Sequence, residues 1–361
     1  MGALSIGPLV CPYFVTENLY PRLGRRMTTL IGLIGMSLSL LLYGLGYFIP
    51  DPQKGLFIVC GIFTRLLEGG GLAIAQTAMV SLISKLFPDE LGFAQSARLI
   101  GCYSGITLGV VVGALLRDNL GYFGVFLTFS VVVILTSFLI FVFEEDRSTE
   151  AVDHSITHWE LFKVRRVFLV VVSCLCTDSL HYSLESILAL KLRLDFAYST
   201  SAIGAFFGVF LAGTLLVGVA SLCIPEKWEK RGFIIAVLWV NVVAALLIGP
   251  SQVLRLPNSP ALIGVGLFLG GSTRSLTASY FFVEGAKGGV ADFPSQEERI
   301  GDIISSFYIV GSGLIFMASL VIGSALSSRI GFRSTLDVEA LVFLLNALIY
   351  TFFTVSDLRK E

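Results

Sequence analysis

About eleven apolar runs follow one another along the chain, most of them near the roughly 20 residues that cross a hydrocarbon core, with short polar breaks between them. They fall near Ala3–Val15, Thr28–Phe48, Leu56–Ser84, Ala97–Leu116, Tyr122–Phe143, Val167–Leu190, Ala202–Ile224, Phe233–Ile248, Ala261–Val283, Ile303–Leu326 and Val338–Val355. Lipid offers no partner to a backbone amide, so only helices or closed barrels can span it. These runs are continuous rather than alternating, which selects helices. Composition agrees: 55% of residues are hydrophobic and 14% charged, where a soluble domain carries about a quarter charged. The sequence therefore predicts an all-α, multi-pass integral membrane protein, with the vesicular or plasma membrane left open.

Several classes drop out. A net charge of -1 without a basic stripe excludes nucleic acid as a partner. All six cysteines lie in apolar runs, so no extracellular disulfide framework is suggested. Cys174 and Cys176 have no histidine cluster near them and make no metal site. His154, His158 and His181 form neither a metal set nor a triad, so no enzyme and no cofactor are expected. His154 and His158 are read as solvated linker residues. The first run is short and interrupted by prolines, with no basic n-region or cleavage site, so it does not read as a signal peptide.

Positive charge sets the topology. With Arg22–Arg26 placed in the cytosol, sixteen Lys and Arg fall on that side and seven on the other. Arg65 and Arg274 are left inside the membrane. The longest polar segment, Glu144–Arg166, opens acidic and ends basic, and divides the runs into two sets. Expected boundaries are residues 1–143 for a first bundle, 144–166 for a cytosolic linker and 167–361 for a second bundle.

Ionisable residues at bilayer depth are costly and mark a working site. Asp178, His181 and Glu185 sit at i, i+3 and i+7 of one run, so a helix carries them on one face. Glu185 is the first candidate for a proton or cation carrier, because a low dielectric lets a carboxyl group alternate between neutral and charged forms. His181 titrates near neutrality and offers a relay toward Asp178. Arg65 and Glu68, at i and i+3, read as an internal ion pair or a substrate contact. Arg274 is expected either to neutralise Glu185 or to bind an anion. Tyr280, Phe281 and Phe282 read as core or lipid-facing rather than an aromatic cage.

The segment Glu17-Asn-Leu-Tyr-Pro-Arg-Leu-Gly-Arg-Arg26 resembles the major facilitator superfamily's loop G-x-x-x-D-R-x-G-R-R. Arg22, Gly24, Arg25 and Arg26 match; Glu17 stands for Gly and Pro21 for Asp, which leaves Glu17 as the acid available to the loop's charge relay. Arg65-Leu-Leu-Glu68-Gly-Gly-Gly71 resembles the family's fourth-helix signature. Gly105, Gly109 and Gly113 resemble its fifth-helix antiporter motif, with Val110 where that motif has Pro. Glycines four apart would let a neighbouring backbone approach closely. The linker end Trp159-Glu-Leu-Phe-Lys, Glu185, Leu246-Leu-Ile-Gly-Pro250 and Ile330-Gly-Phe332 look most like the vesicular amine and polyamine branch.

The resemblance implies a two-bundle helical carrier of about eleven transmembrane helices, without the family's first helix. It further implies a monomer in lipid that moves a small organic solute, an organic cation or amine exchanged for protons by alternating access. The Arg22–Arg26 segment would then gate. Alternatives are a proton-independent facilitator, an anion carrier, or an inactive truncated regulator of a full-length homologue.

Overall fold

The computed structural model describes residues 2–49, 54–143, 156–225 and 228–358, and every regular element among them is helical. In chain order these are α1 (Gly2–Phe14), α2 (Tyr20–Leu45), α3 (Lys54–Leu86), α4 (Leu91–Phe143), α5 (His158–Lys163), α6 (Arg165–Phe196), α7 (Thr200–Ser221), α8 (Lys230–Ile248), α9 (Pro260–Asp292), α10 (Glu297–Ile330) and α11 (Phe332–Leu358). Eight helical stretches among the described residues are long and apolar enough to cross a membrane. The protein is an integral multi-pass membrane protein. Each expected span finds a helix, and α4 holds two of them. Gly121 divides it at φ 68°, ψ -174°, a backbone region that only glycine adopts without strain.

The stretch expected as a loop at Glu17–Arg26 is helical on both sides of a single break. Val15–Leu19 forms one π-helical turn, where the Thr16 hydroxyl donates to the carbonyl oxygens of Pro12 and Tyr13. Pro21 enters in the first turn of α2, where its missing N–H costs nothing. The chain then turns at Gly24, at φ 73°, ψ 169°.

Two compact units emerge. The first comprises Met1–Pro88, Gly105–Leu161 and Ser295–Leu314; the second comprises Asp89–Ser104, Phe162–Pro294 and Ile315–Glu361. Lipid tails are as apolar as leucine, so helices in a membrane hold together by close packing and polar pairs rather than by a hydrophobic drive. In the first unit a Cβ placed at Gly32 of α2 would lie 2.5 Å from the Ala75 nitrogen of α3, and one at Gly71 would lie 2.8 Å from the Gly32 carbonyl oxygen. Those backbones touch. The approach expected at Gly105, Gly109 and Gly113 is absent among the described residues. A Cβ at Gly105 or Gly109 meets nothing within 4 Å, and one at Gly113 meets only a Phe129 ring carbon at 3.9 Å. Glycine spacing supplies a smooth stripe, but a stripe without an opposing backbone packs nothing.

In the second unit, α6 buries the stripe Leu180, Leu184, Ile187, Leu188 and Leu192 against Phe210, Ile248, Leu267, Leu336 and Phe343. The i, i+4, i+7, i+8 spacing of that stripe fixes the rotation of α6. Tyr280, Phe281 and Phe282 of α9 are buried core residues, the first of the two placements that the sequence left open. At one end of the unit Arg166 Nη2 lies 2.6 Å from Oε2 of the fully buried Glu284.

Candidate functional site

Fixing α6 by its leucine stripe turns Asp178 toward α9 and His181 toward α7, while Glu185 is exposed. Asp178 is 2% exposed, and its Oδ1 accepts a hydrogen bond from Arg274 Nε of α9 at 3.3 Å. The Arg274 guanidinium also lies between two rings, 5.2 Å from the Tyr103 centroid and 5.3 Å from that of Tyr182. Such cation–π contacts are worth about 0.5–2 kcal/mol each. The sequence left two roles for Arg274; the structure sets it against Asp178. Glu185 pairs instead along its own helix, with Oε1 3.0 Å from His181 Nε2. The imidazole stacks on Phe210 of α7 with centroids 5.0 Å apart. Tyr182 meets Phe316 of α10 edge-on at 5.0 Å.

Two ion pairs of different chemistry therefore stand side by side. Arg274 stays charged at any working pH, because a guanidinium does not deprotonate in proteins. The His181–Glu185 pair can take up or lose a proton. A half-exposed carboxylate next to a titratable base that is itself packed on aromatic rings can hold a proton or a small cation.

In the first unit, Arg65 and Glu68 pair as expected, with Arg65 Nη1 2.6 Å from Glu68 Oε2. The guanidinium also covers the Tyr43 ring at 4.4 Å. The same unit gathers the Glu17–Arg26 segment. Arg25 donates from Nε to Ser81 Oγ at 2.7 Å and from Nη2 to Asp302 Oδ2 at 2.8 Å, and its Nη1 lies 2.8 Å from Glu298 Oε1. Lys85 shares Glu298 at 2.6 Å, and the Ser81 hydroxyl donates to Asp302. Arg26 donates to the Phe141 carbonyl, while Arg22 is exposed. Glu17 accepts from Arg299 Nη2 at 2.5 Å.

His158 corrects the sequence reading; His154 lies outside the described residues. His158 is not solvated: its Nδ1 lies 3.1 Å from Glu17 Oε1, and its Nε2 faces the hydroxyls of Thr16 and Ser306 at 3.2 and 3.0 Å. Tyr13 and Phe307 pack on the ring. Burial pushes its pKa down from 6.5 to about 4, against the pull of Glu17 upward and with the push of Arg299 downward.

Glu298, Arg299 and Asp302 are the residues that sequence reasoning missed. They stand in the first two turns of α10, just ahead of the run counted from Ile303. Three charges within five positions, each at helical spacing, were the available signal.

The chain matches the family model described as the Major Facilitator Superfamily over residues 1–291. It is 22% identical over 310 residues to the MFS-type transporter SLC18B1 of Rattus norvegicus, covering 84% of this chain and 66% of that protein. The chain thus spans just under two thirds of that relative's length. The multidrug resistance protein MdtG of Enterobacter lignolyticus is 26% identical over 348 residues, covering 92% of this chain and 76% of its own. Among solved structures, the human organic anion transporter MFSD10 (TETRAN) superposes with a TM-score of 0.75 at 18% identity, covering 97% of this chain and 82% of that one. With its helical architecture and a model match over most of its length, the chain belongs to the Major Facilitator Superfamily.

Proposed function

We propose that the protein is a proton-coupled secondary transporter that exchanges an organic cation for protons, with Glu185 alternately holding the proton and the substrate. The charge balance of the α6–α9 cluster carries this reading. One guanidinium, Arg274, stands against two carboxylates, Asp178 and Glu185, so the cluster holds one net negative charge while His181 is neutral. At bilayer depth an uncompensated charge costs several kcal/mol. A proton or a cationic substrate removes that imbalance, and each displaces the other. Phe210 and Tyr182 beside the pair suit an amine, which gains from ring faces. The name of one relative, a multidrug resistance protein, lies in the same direction. In this reading the bundles 1–143 and 167–361 rock about the linker 144–166, the usual form of alternating access. Arg25 and Arg26 act as the cytosolic latch of a monomeric carrier.

The test is Glu185→Gln in proteoliposomes with a panel of organic amines. Uptake driven by a pH gradient should fall at least about tenfold, a loss of more than 1.4 kcal/mol in driving coupling. Substrate counterflow, which needs no net proton movement, should fall far less. Full-rate uptake with an unchanged pH profile would make Glu185 structural. Uptake of organic anions alone would favour an anion carrier instead.

A further inference from the structure

Glu339 of α11 is an acid that neither ion-pair system uses. It lies about 10 Å along the helix from Phe332, at 1.5 Å per residue, and so within the span. Its Oε2 is shut off from solvent and has no hydrogen-bond partner among the described residues. Ser183 of α6 faces the carboxyl group. Ser183 is itself buried, and a Cβ at Gly323 of α10 would come within 3.4 Å of its side chain. Three helices thus close on this point. The seam continues two turns on, where Ser173 donates to Asn346 Oδ1 at 3.4 Å and the Asn346 amide nitrogen is left without a partner among the described residues.

The charges on the surrounding helices are engaged elsewhere. On α6, Asp178 is with Arg274, His181 with Glu185, and Lys191 with Asp195. On α8, Lys230 and Arg231 stand in the first turn, where Lys230 donates to Pro225 O and Arg231 to Glu229. Arg329, near the end of α10, is exposed. On α11 itself, Asp337 accepts from the Gln252 amide at 3.0 Å. An ionised Glu339 would meet neither water nor a cation at that oxygen, and such a charge is expensive in a membrane. The neutral acid avoids the cost and can donate to the Ser183 hydroxyl.

We propose that Glu339 is a second proton-binding site, protonated while α6, α10 and α11 are packed around it and discharged when that junction opens to water. Its use in transport rests on the proton-coupled reading above; its protonation does not. Infrared difference spectra of purified protein in lipid at neutral pH should show a protonated-carboxyl carbonyl band that Glu339→Gln removes and Glu185→Gln leaves. Ser183→Ala should shift that band, which decides the matter even if Glu339→Gln does not fold. In proteoliposomes, Glu339→Gln should move the pH of half-maximal uptake by about one unit, the tenfold effect of one displaced titration. Absence of any band sensitive to either substitution overturns the proposal. A wild-type protein that shows the band but takes up no amine under a pH gradient would overturn the transport reading and leave the proton site standing.

Discussion

Asp302 is 1% exposed and takes two bonds from Arg25 and one from Ser81, so it forms a buried pair with Arg25. Removing one member of a buried pair strands the other, at about 3–5 kcal/mol, whereas removing both can be close to neutral. Asp302→Asn should therefore lower thermal stability in detergent, since Arg25 then keeps only the half-exposed Glu298 as its ionic partner. The double variant with Arg25→Gln should recover most of that loss. A double variant no more stable than Asp302→Asn alone would show that the pair holds nothing together. The same reasoning separates Arg25 from Arg22, which stands exposed and whose neutralisation should change stability by no more than about 0.5 kcal/mol. The two arginines look equivalent in the motif. Burial is what distinguishes them.

Elements in this protein are held by where their backbones touch, which makes glycine positions unequal. Gly32→Ala would drive a methyl group to 2.5 Å from the Ala75 nitrogen, a contact that backbone cannot yield, so α2 must part from α3. Overpacking of this kind costs about 1–3 kcal/mol. Gly105→Ala meets nothing within 4 Å and gains helix propensity of up to about 1 kcal/mol. Thermal unfolding in detergent should place the two on opposite sides of the wild type; equal losses would mean that the α4 stripe has a packing partner after all. The short helix α5 is held differently, by the neutral His158 ring docked among Thr16, Glu17 and Ser306. With its pKa depressed to about 4 from 6.5, docking is fully stable above pH 6.5 and weakens as pH falls toward 4. The loss approaches about 3 kcal/mol, at 1.36 kcal/mol per unit. Protease cleavage near α5 should accelerate over that window in the wild type and show no such pH step in His158→Gln. A wild-type rate flat from pH 7 to 4 would sink the idea.

At the scale of the whole molecule, the spans were legible because crossing lipid demands length and apolarity, both of which are local properties of the chain. The partners were not. Arg274 and Asp178 are 96 residues apart, and nothing near either residue says which of two acids on α6 the guanidinium meets. That choice is made by the leucine stripe from Leu180 to Leu192, which sets the rotation of α6 against α9. His158 was misread for a related reason: its neighbours in sequence are polar, and the surfaces that bury it come from α1 and α10. Partner choice in turn sets the charge that the molecule carries through its cycle, and this can be tested. Asp178→Asn releases Arg274 from its carboxylate and leaves one cation against one acid, so the cluster becomes neutral with His181 unprotonated. Uptake of an amine should then fall, because the site no longer needs a positive charge to balance it. Combining Asp178→Asn with Arg274→Gln restores one net negative charge on Glu185, and uptake should return in part. The freed cluster should also lose its Tyr103 and Tyr182 cation–π contacts, so recovery should stop short of the wild type. If the double variant transports no better than Asp178→Asn alone, charge balance is not what selects the substrate, and the Arg274–Asp178 pair serves only to join α6 to α9.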